Sequence, residues 1–203
     1  MNNGIPKGKF PSPMKIQSAL WKVCLVSLVM VGSGYAEDLK ELIALKKEFE
    51  ASPSNKTEVA REQYIVSLIH LWEKYKGVYD STNKRDGGEQ MRAVDLEVAN
   101  HPAPKGANPS PRLLLGDWES PRHGYRFTEN GKWIMLPEDD CTTHGNWRIT
   151  NNEYFESCAI DGDKIDSASG STIYLLNNQY FVFGNSKGVY IEKRIPYGSY
   201  GKE

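Results

Sequence analysis

Tyr125-Arg126-Phe127-Thr128-Glu129-Asn130-Gly131-Lys132-Trp133-Ile134-Met135 decides the fold class. Tyr125 and Phe127 alternate with polar neighbours, Asn130-Gly131 offers two residues that tolerate positive φ, and Trp133 and Met135 resume the period of two. That pattern is a β-hairpin. The same period recurs at Trp147/Ile149, Ile173/Leu175, Tyr180/Val182 and Val189/Ile191, in short segments separated by turn residues. Asn151-Asn152 and Asn177-Asn178 are weaker turn signals, and Gly188 closes the turn that begins at Asn185. Residues 113–195 therefore read as an antiparallel meander of about eight strands, which hides its edges by closing into a small barrel.

Upstream, over 37–100, the apolar period is helical. Leu39, Leu42, Ile43, Lys46 and Phe49 share one face; Val59, Ile65, Leu68, Ile69, Trp72 and Tyr75 form a second after the Ser52-Pro53-Ser54-Asn55 turn. So short a connection predicts an antiparallel helical hairpin. Met91, Val94 and Val98 mark a weaker third helix from Gly88, and 81–87, without periodicity, reads as a loop. His70 has no second ligand at metal spacing, and Trp72 and Tyr75 sit at core spacing, so the helices read as structural. Residues 101–112 carry four prolines and form a linker and domain boundary by composition; 196–203 reads as a flexible tail. The fold class is α+β, helices first and a small barrel after.

Residues 1–36 read as an export signal behind a polar extension, with Met14 a candidate initiator. Lys15 precedes a short apolar core over 23–31, and Gly34-Tyr35-Ala36 supplies the small residues a signal peptidase needs. A spanning helix needs about 20 apolar residues, and Lys22 and Gly32 interrupt this one. Cys24 stands at the start of the apolar core after Lys22-Val23, the wrong place for lipidation. Cleavage near Ala36 leaves no stable membrane anchor and predicts a periplasmic or secreted chain. It also removes four lysines and no acid, taking the formal net charge from −1 to −5. An acidic surface disfavours nucleic acid as a partner, since binding phosphate backbones takes clustered basic charge. The two cysteines left, Cys141 and Cys158, read as a disulfide in an oxidising compartment. A two-residue turn at Asn151-Asn152 sets Thr150 opposite Glu153 and Cys158 opposite Gly145.

The segment Leu113-Leu114-Leu115-Gly116-Asp117-Trp118 carries the G-x-W pattern that opens the first strand of lipocalin-like barrels, which this half resembles. The resemblance implies that Trp118 closes one end by packing on a basic residue of the last strand, here Lys193 or Arg194. Over most of 60–194 the chain also resembles uncharacterised exported bacterial proteins with a helical segment before a compact β module. The matching residues are Tyr64, Leu68 and Leu71, Ala93 to Glu97, Gly116-Asp117-Trp118, Phe127 to Gly131, and Gly145-Asn146-Trp147. The Cys141/Cys158 pair and the acidic Glu138-Asp139-Asp140 loop depart from that pattern. No active site comes with the resemblance.

The densest polar cluster is Glu138-Asp139-Asp140-Cys141 with His144, and Asp161, Asp163 and Asp166 follow. Convergent carboxylates with a His can perform acid–base catalysis or hold a metal. Asp161, Asp163 and Asp166 lack the glycine and distal Glu of a calcium loop, and Cys141 with His144 reads as structural beside a second cysteine. No serine elbow, zinc helix, phosphate loop or dinucleotide fingerprint occurs. The sequence thus assigns no catalytic residue, metal or cofactor. Its first reading is a non-enzymatic module that binds a small apolar or glycan ligand at a barrel mouth lined by some of Tyr125, Trp133, Trp147 and Tyr154. A protein-interaction or inhibitor module using helices or barrel loops is the second, and a hydrolase built on 138–144 the third.

Overall fold

The computed structural model describes residues 39–82, 85–104, 106–120, 123–137, 143–160, 163–166, 170–185 and 188–200, without side chains at 82, 85–87, 158–160 and 163–166. The export signal over 1–36, Cys141, and the Glu138-Asp139-Asp140 loop lie outside the described residues, as do the side chains of Cys158, Asp163 and Asp166.

Among the described residues three helices come first: α1 Lys40–Ala51, α2 Glu58–Thr82 and α3 Arg85–Ala99. Thr57 caps α2, its Oγ1 accepting the Ala60 N–H at 3.2 Å. Phe49 stacks on Tyr64 at 4.1 Å and Glu41 meets Lys74, so α1 runs back along α2. Tyr64 reaching Glu97, and Tyr79 lying beside Gly88, give α3 the same antiparallel relation to α2. Ile65, Leu68, Ile69, Val94 and Val98 are wholly buried. The buried Glu97 carboxylate ties the three helices together, accepting from Lys46 at 2.9 Å, Tyr64 at 3.0 Å and His101 at 3.1 Å. Burial alone would push the Glu97 carboxyl up, but these donors hold it below its usual range. The loop expected over 81–87 is mostly helix instead: α2 continues to Thr82 and α3 begins at Arg85. Backbone hydrogen bonds propagate a helix beyond the turns that pack, so polar ends need no apolar period.

The β half runs β1 Gly116–Glu119, β2 Gly124–Phe127, β3 Lys132–Leu136, β4 His144–Thr150, β5 Glu153–Ile160, β6 Asp163–Asp166, β7 Ser171–Leu176, β8 Tyr180–Asn185 and β9 Gly188–Ile195. Eight of these form a closed antiparallel ring in chain order, with β9 returning to β1 and β5 joined to β7. The β5–β7 seam is short, Glu153↔Thr172 and Tyr154↔Ser171, because β6 takes the same edge of β5 from Ser157 onward. β6 is thus a ninth strand added to the ring. Asn151 and Asn152 both take positive φ, 51° and 63°, and Thr150 faces Glu153 with Gly145 opposite Cys158. The first hairpin turns differently from the two-residue reading: only Gly131 has positive φ there, and Thr128 and Lys132 flank a three-residue loop.

The G-D-W triplet closes one end of the barrel. Trp118 is wholly buried, its indole N–H donating to the Leu114 carbonyl at 2.7 Å. Arg194, its cross-strand partner on β9, lays its guanidinium 4.3 Å from the centre of the Trp118 rings and donates to the carbonyls of Leu115 and Leu113. Those carbonyls belong to the Pro111–Leu114 turn of 3₁₀ helix and the residue after it. Gly116 is required here: its φ is +118°, and a Cβ would stand 2.9 Å from Arg194 Nη1. Asp117, on the outer face, takes two hydrogen bonds from Arg126 at 2.8 and 2.9 Å and one from the Gly198 N–H at 2.7 Å. Burial would raise the Asp117 carboxyl, yet these bonds hold it below the ordinary range. The segment read as a flexible tail is docked over 196–200: besides Gly198, Tyr197 lies under Arg126 at 4.3 Å and Tyr200 packs where Gly124 leaves room.

The proline-rich segment links helices that lie against the barrel wall. Arg61 donates to the Tyr174 carbonyl at 2.7 Å, His70 meets the Tyr180 hydroxyl at 3.1 Å, and Lys193 pairs with Glu73 at 2.6 Å. Lys193 therefore faces α2, and Arg194 alone covers Trp118. With one face to the barrel interior and one under the helices, β7 and β8 are buried almost throughout.

Replacing Trp118 by Ala should destabilise the chain by about 3–5 kcal/mol, as large-to-small changes in a packed core do. Gly116→Ala should cost about 1–3 kcal/mol through its backbone conformation and the displaced guanidinium. Urea unfolding checks both; a Trp118→Ala midpoint equal to wild type would remove the closure from its structural role.

Candidate functional site

The inner face of the ring alternates along each strand. Tyr125 and Phe127, Trp133 and Met135, Trp147 and Ile149, Tyr154, Phe181 and Phe183 all belong to or pack against the interior cluster around Trp118. On β7 a register shift lets Ile173 and Leu176, three residues apart, both face inward. Around Trp118 and Phe181 the interior is filled. Toward the far end it opens into a cavity of about 680 Å³, whose walls include Phe127, Tyr154 and Phe183 from within the barrel. Tyr190, Asn185 and His123 line its barrel rim, and Trp72, Lys76, Tyr79 and Met91 come from α2 and α3.

Three carboxyl groups line this space: Asp80, paired with Lys76 on α2, and Glu156 and Glu192 from the barrel. Glu192 on β9 is 4% exposed, and its Oε2 is buried without a hydrogen-bond donor among the described residues. Burial first, and then the charge of Glu156, push its carboxyl up to about 8. Glu156, nearer solvent on β5, accepts the Tyr154 hydroxyl at 2.8 Å. Burial and the two neighbouring carboxylates raise the Tyr154 phenol well above its ordinary value, so it remains a neutral donor. The aromatic wall is continuous: Tyr154 and Phe183 lie 5.0 Å apart and Phe183 stacks on Tyr190 at 5.2 Å.

Of the four ring residues expected at the mouth, Tyr125 and Tyr154 line the cavity. Trp133 and Trp147 are placed elsewhere, as packing residues. Trp133 is buried, donating to the Ser157 carbonyl at 3.1 Å beside Gly145, where any Cβ would strike Ser157. Trp147 donates to the Lys132 carbonyl at 3.1 Å across the β3–β4 pairing. Indole N–H groups anchored to strand backbone fix the wall instead of facing a ligand. Gly116, Trp118 and Arg194 form the closed end, and Lys193 lies outside the barrel. Glu192 went unread, although a signal existed: once Arg194 faces inward, strand alternation carries Glu192 and Tyr190 to the same face. Among the described residues no three of His, Cys, Asp and Glu group as metal ligands.

Comparison with known protein families, with curated proteins and with solved structures finds no match. The functional reading therefore stands on this cavity.

A raised carboxyl binds its proton more tightly folded than unfolded, so between about pH 4.5 and 8 rising pH withdraws stability through Glu192. Glu192→Gln should accordingly melt higher than wild type at pH 8, by more than about 1 kcal/mol, with the gap closing toward pH 4.5. Thermal melts of both proteins across that range check it; a pH-independent difference would show that Glu192 ionises as freely folded as unfolded.

Proposed function

We propose that this chain is an exported, non-enzymatic binding module of the lipocalin-like kind, holding a small ligand in the open end of its barrel. The observation that carries the reading is the cavity itself. At about 680 Å³ it falls in the range of about 300–1,000 Å³ typical of small-molecule sites, which are largely apolar with a few placed polar groups. Phe127, Tyr154 and Phe183 supply the apolar wall, while Glu156, Glu192 and Asn185 supply polar groups. The G-x-W closure supports the lipocalin-like relation, because it leaves one end filled and the other open. Export rests on the sequence of 1–36; no helix of the described residues is long and apolar enough to cross a membrane.

Native mass spectrometry of the chain purified from the exported fraction tests the reading directly. A bound mass of a few hundred daltons, lost on denaturation, is expected, as is an N-terminus near Glu37. A cavity that stays empty and also excludes a neutral apolar fluorophore would overturn it. Tyr190, 43% exposed at the rim and stacked on Phe183, offers a variant that spares the fold. Tyr190→Ala should weaken the captured ligand by about 0.5–1.5 kcal/mol, measured by titration, while the melting temperature changes little.

A further inference from the structure

Glu192 sets the chemistry the cavity recognises. The residue is 4% exposed, its Oε2 meets no donor among the described residues, and it lines the cavity wall. A buried acid without a partner costs stability wherever it lies, and here the missing partner belongs on the cavity side. Of the other described charged groups on the cavity wall, Lys76 is paired with Asp80 on the next turn of α2, and Glu156 is a second barrel carboxyl, holding the Tyr154 hydroxyl. His123 stands at the rim. The rings of Tyr154, Phe183 and Tyr190 present a continuous aromatic wall beside these carboxyls. Aromatic faces with a carboxylate attract compact organic cations, through the ring quadrupole and the opposite charge together.

We infer that the cavity takes an organic cation, an amine or quaternary ammonium, whose charge sits against the Glu192 carboxylate beside the Tyr154, Phe183 and Tyr190 rings. The inference rests on the binding-site reading above and narrows it to one ligand class. Cation entry ionises Glu192: the carboxyl proton leaves to solvent and the ammonium takes its place, so binding releases one proton near pH 7.

The test titrates the whole exported chain with choline and with its neutral isostere 3,3-dimethylbutan-1-ol, using a neutral apolar fluorophore to report cavity occupancy. Choline is expected to displace the fluorophore and the isostere to do so at least about tenfold less well. Glu192→Gln should retain the fluorophore, weaken choline about tenfold or more, and abolish the proton release seen as a buffer-dependent calorimetric enthalpy. Equal displacement by both compounds, or choline binding unaffected by Glu192→Gln, overturns the cation class while leaving the site intact. Failure of choline to bind while the fluorophore enters overturns it equally. Exclusion of both removes the binding site itself.

Discussion

The guanidinium of Arg194 is the contact on which the barrel depends. It covers Trp118 and donates to two carbonyls of the segment leading into β1. A barrel closes only if its first and last strands meet, and here residues about 80 apart in sequence are joined by one side chain that serves ring, backbone and register together. Gly116 follows from this, since any side chain there would occupy the guanidinium's position. Asp117 repeats the closure on the outer surface, gripping β2 through Arg126 and the chain end through Gly198. Three consecutive residues thus bind both faces and both ends of the β half.

The helices complete the wall as well as leading into it. Leu175, Val182 and Ile191 are cross-strand neighbours on the outer face, and the first two are buried although they stand outside the interior cluster. Removing that cover would leave an apolar stripe on β7 and β8 facing water. Apolar area therefore welds helices and barrel together across a segment whose composition reads as a spacer. His70 and Arg61, polar residues on α2, meet the Tyr180 hydroxyl and Tyr174 carbonyl at the same junction.

Strand number, turn positions and barrel closure were legible because they rest on local rules: period two, Asn and Gly at turns, a tryptophan and a cation on sequence-distant strands. Inner and outer faces were less so. On β1 to β5 the apolar residues mark the interior, whereas Tyr180/Val182 and Val189/Ile191 mark the face under the helices, and Phe181, Phe183 and Glu192 face in. Where both faces are covered, hydrophobicity loses its phase. Docking of 196–200 escaped for a related reason, because it depends on a hydrogen bond from Gly198 and a ring beneath Arg126, neither with any periodic trace. The cavity was anticipated as a place but not in its polar content.

That content follows from β9. At about 3.3 Å per residue, Tyr190, Glu192 and Arg194 stand in one inward row, from rim to floor. Glu192 and Arg194 share that face two residues apart, yet Arg194 gives its Nη groups to the Leu113 and Leu115 carbonyls and its face to Trp118, while its Nε finds no acceptor among the described residues. The cation that could have neutralised Glu192 is committed to closing the barrel. An acid left alone at that depth is destabilising in the empty protein, and the same closure that isolates it also seals the floor beneath it. The architecture of the closed end and the electrostatics of the open one are consequences of a single strand register, which a slip of one residue would invert.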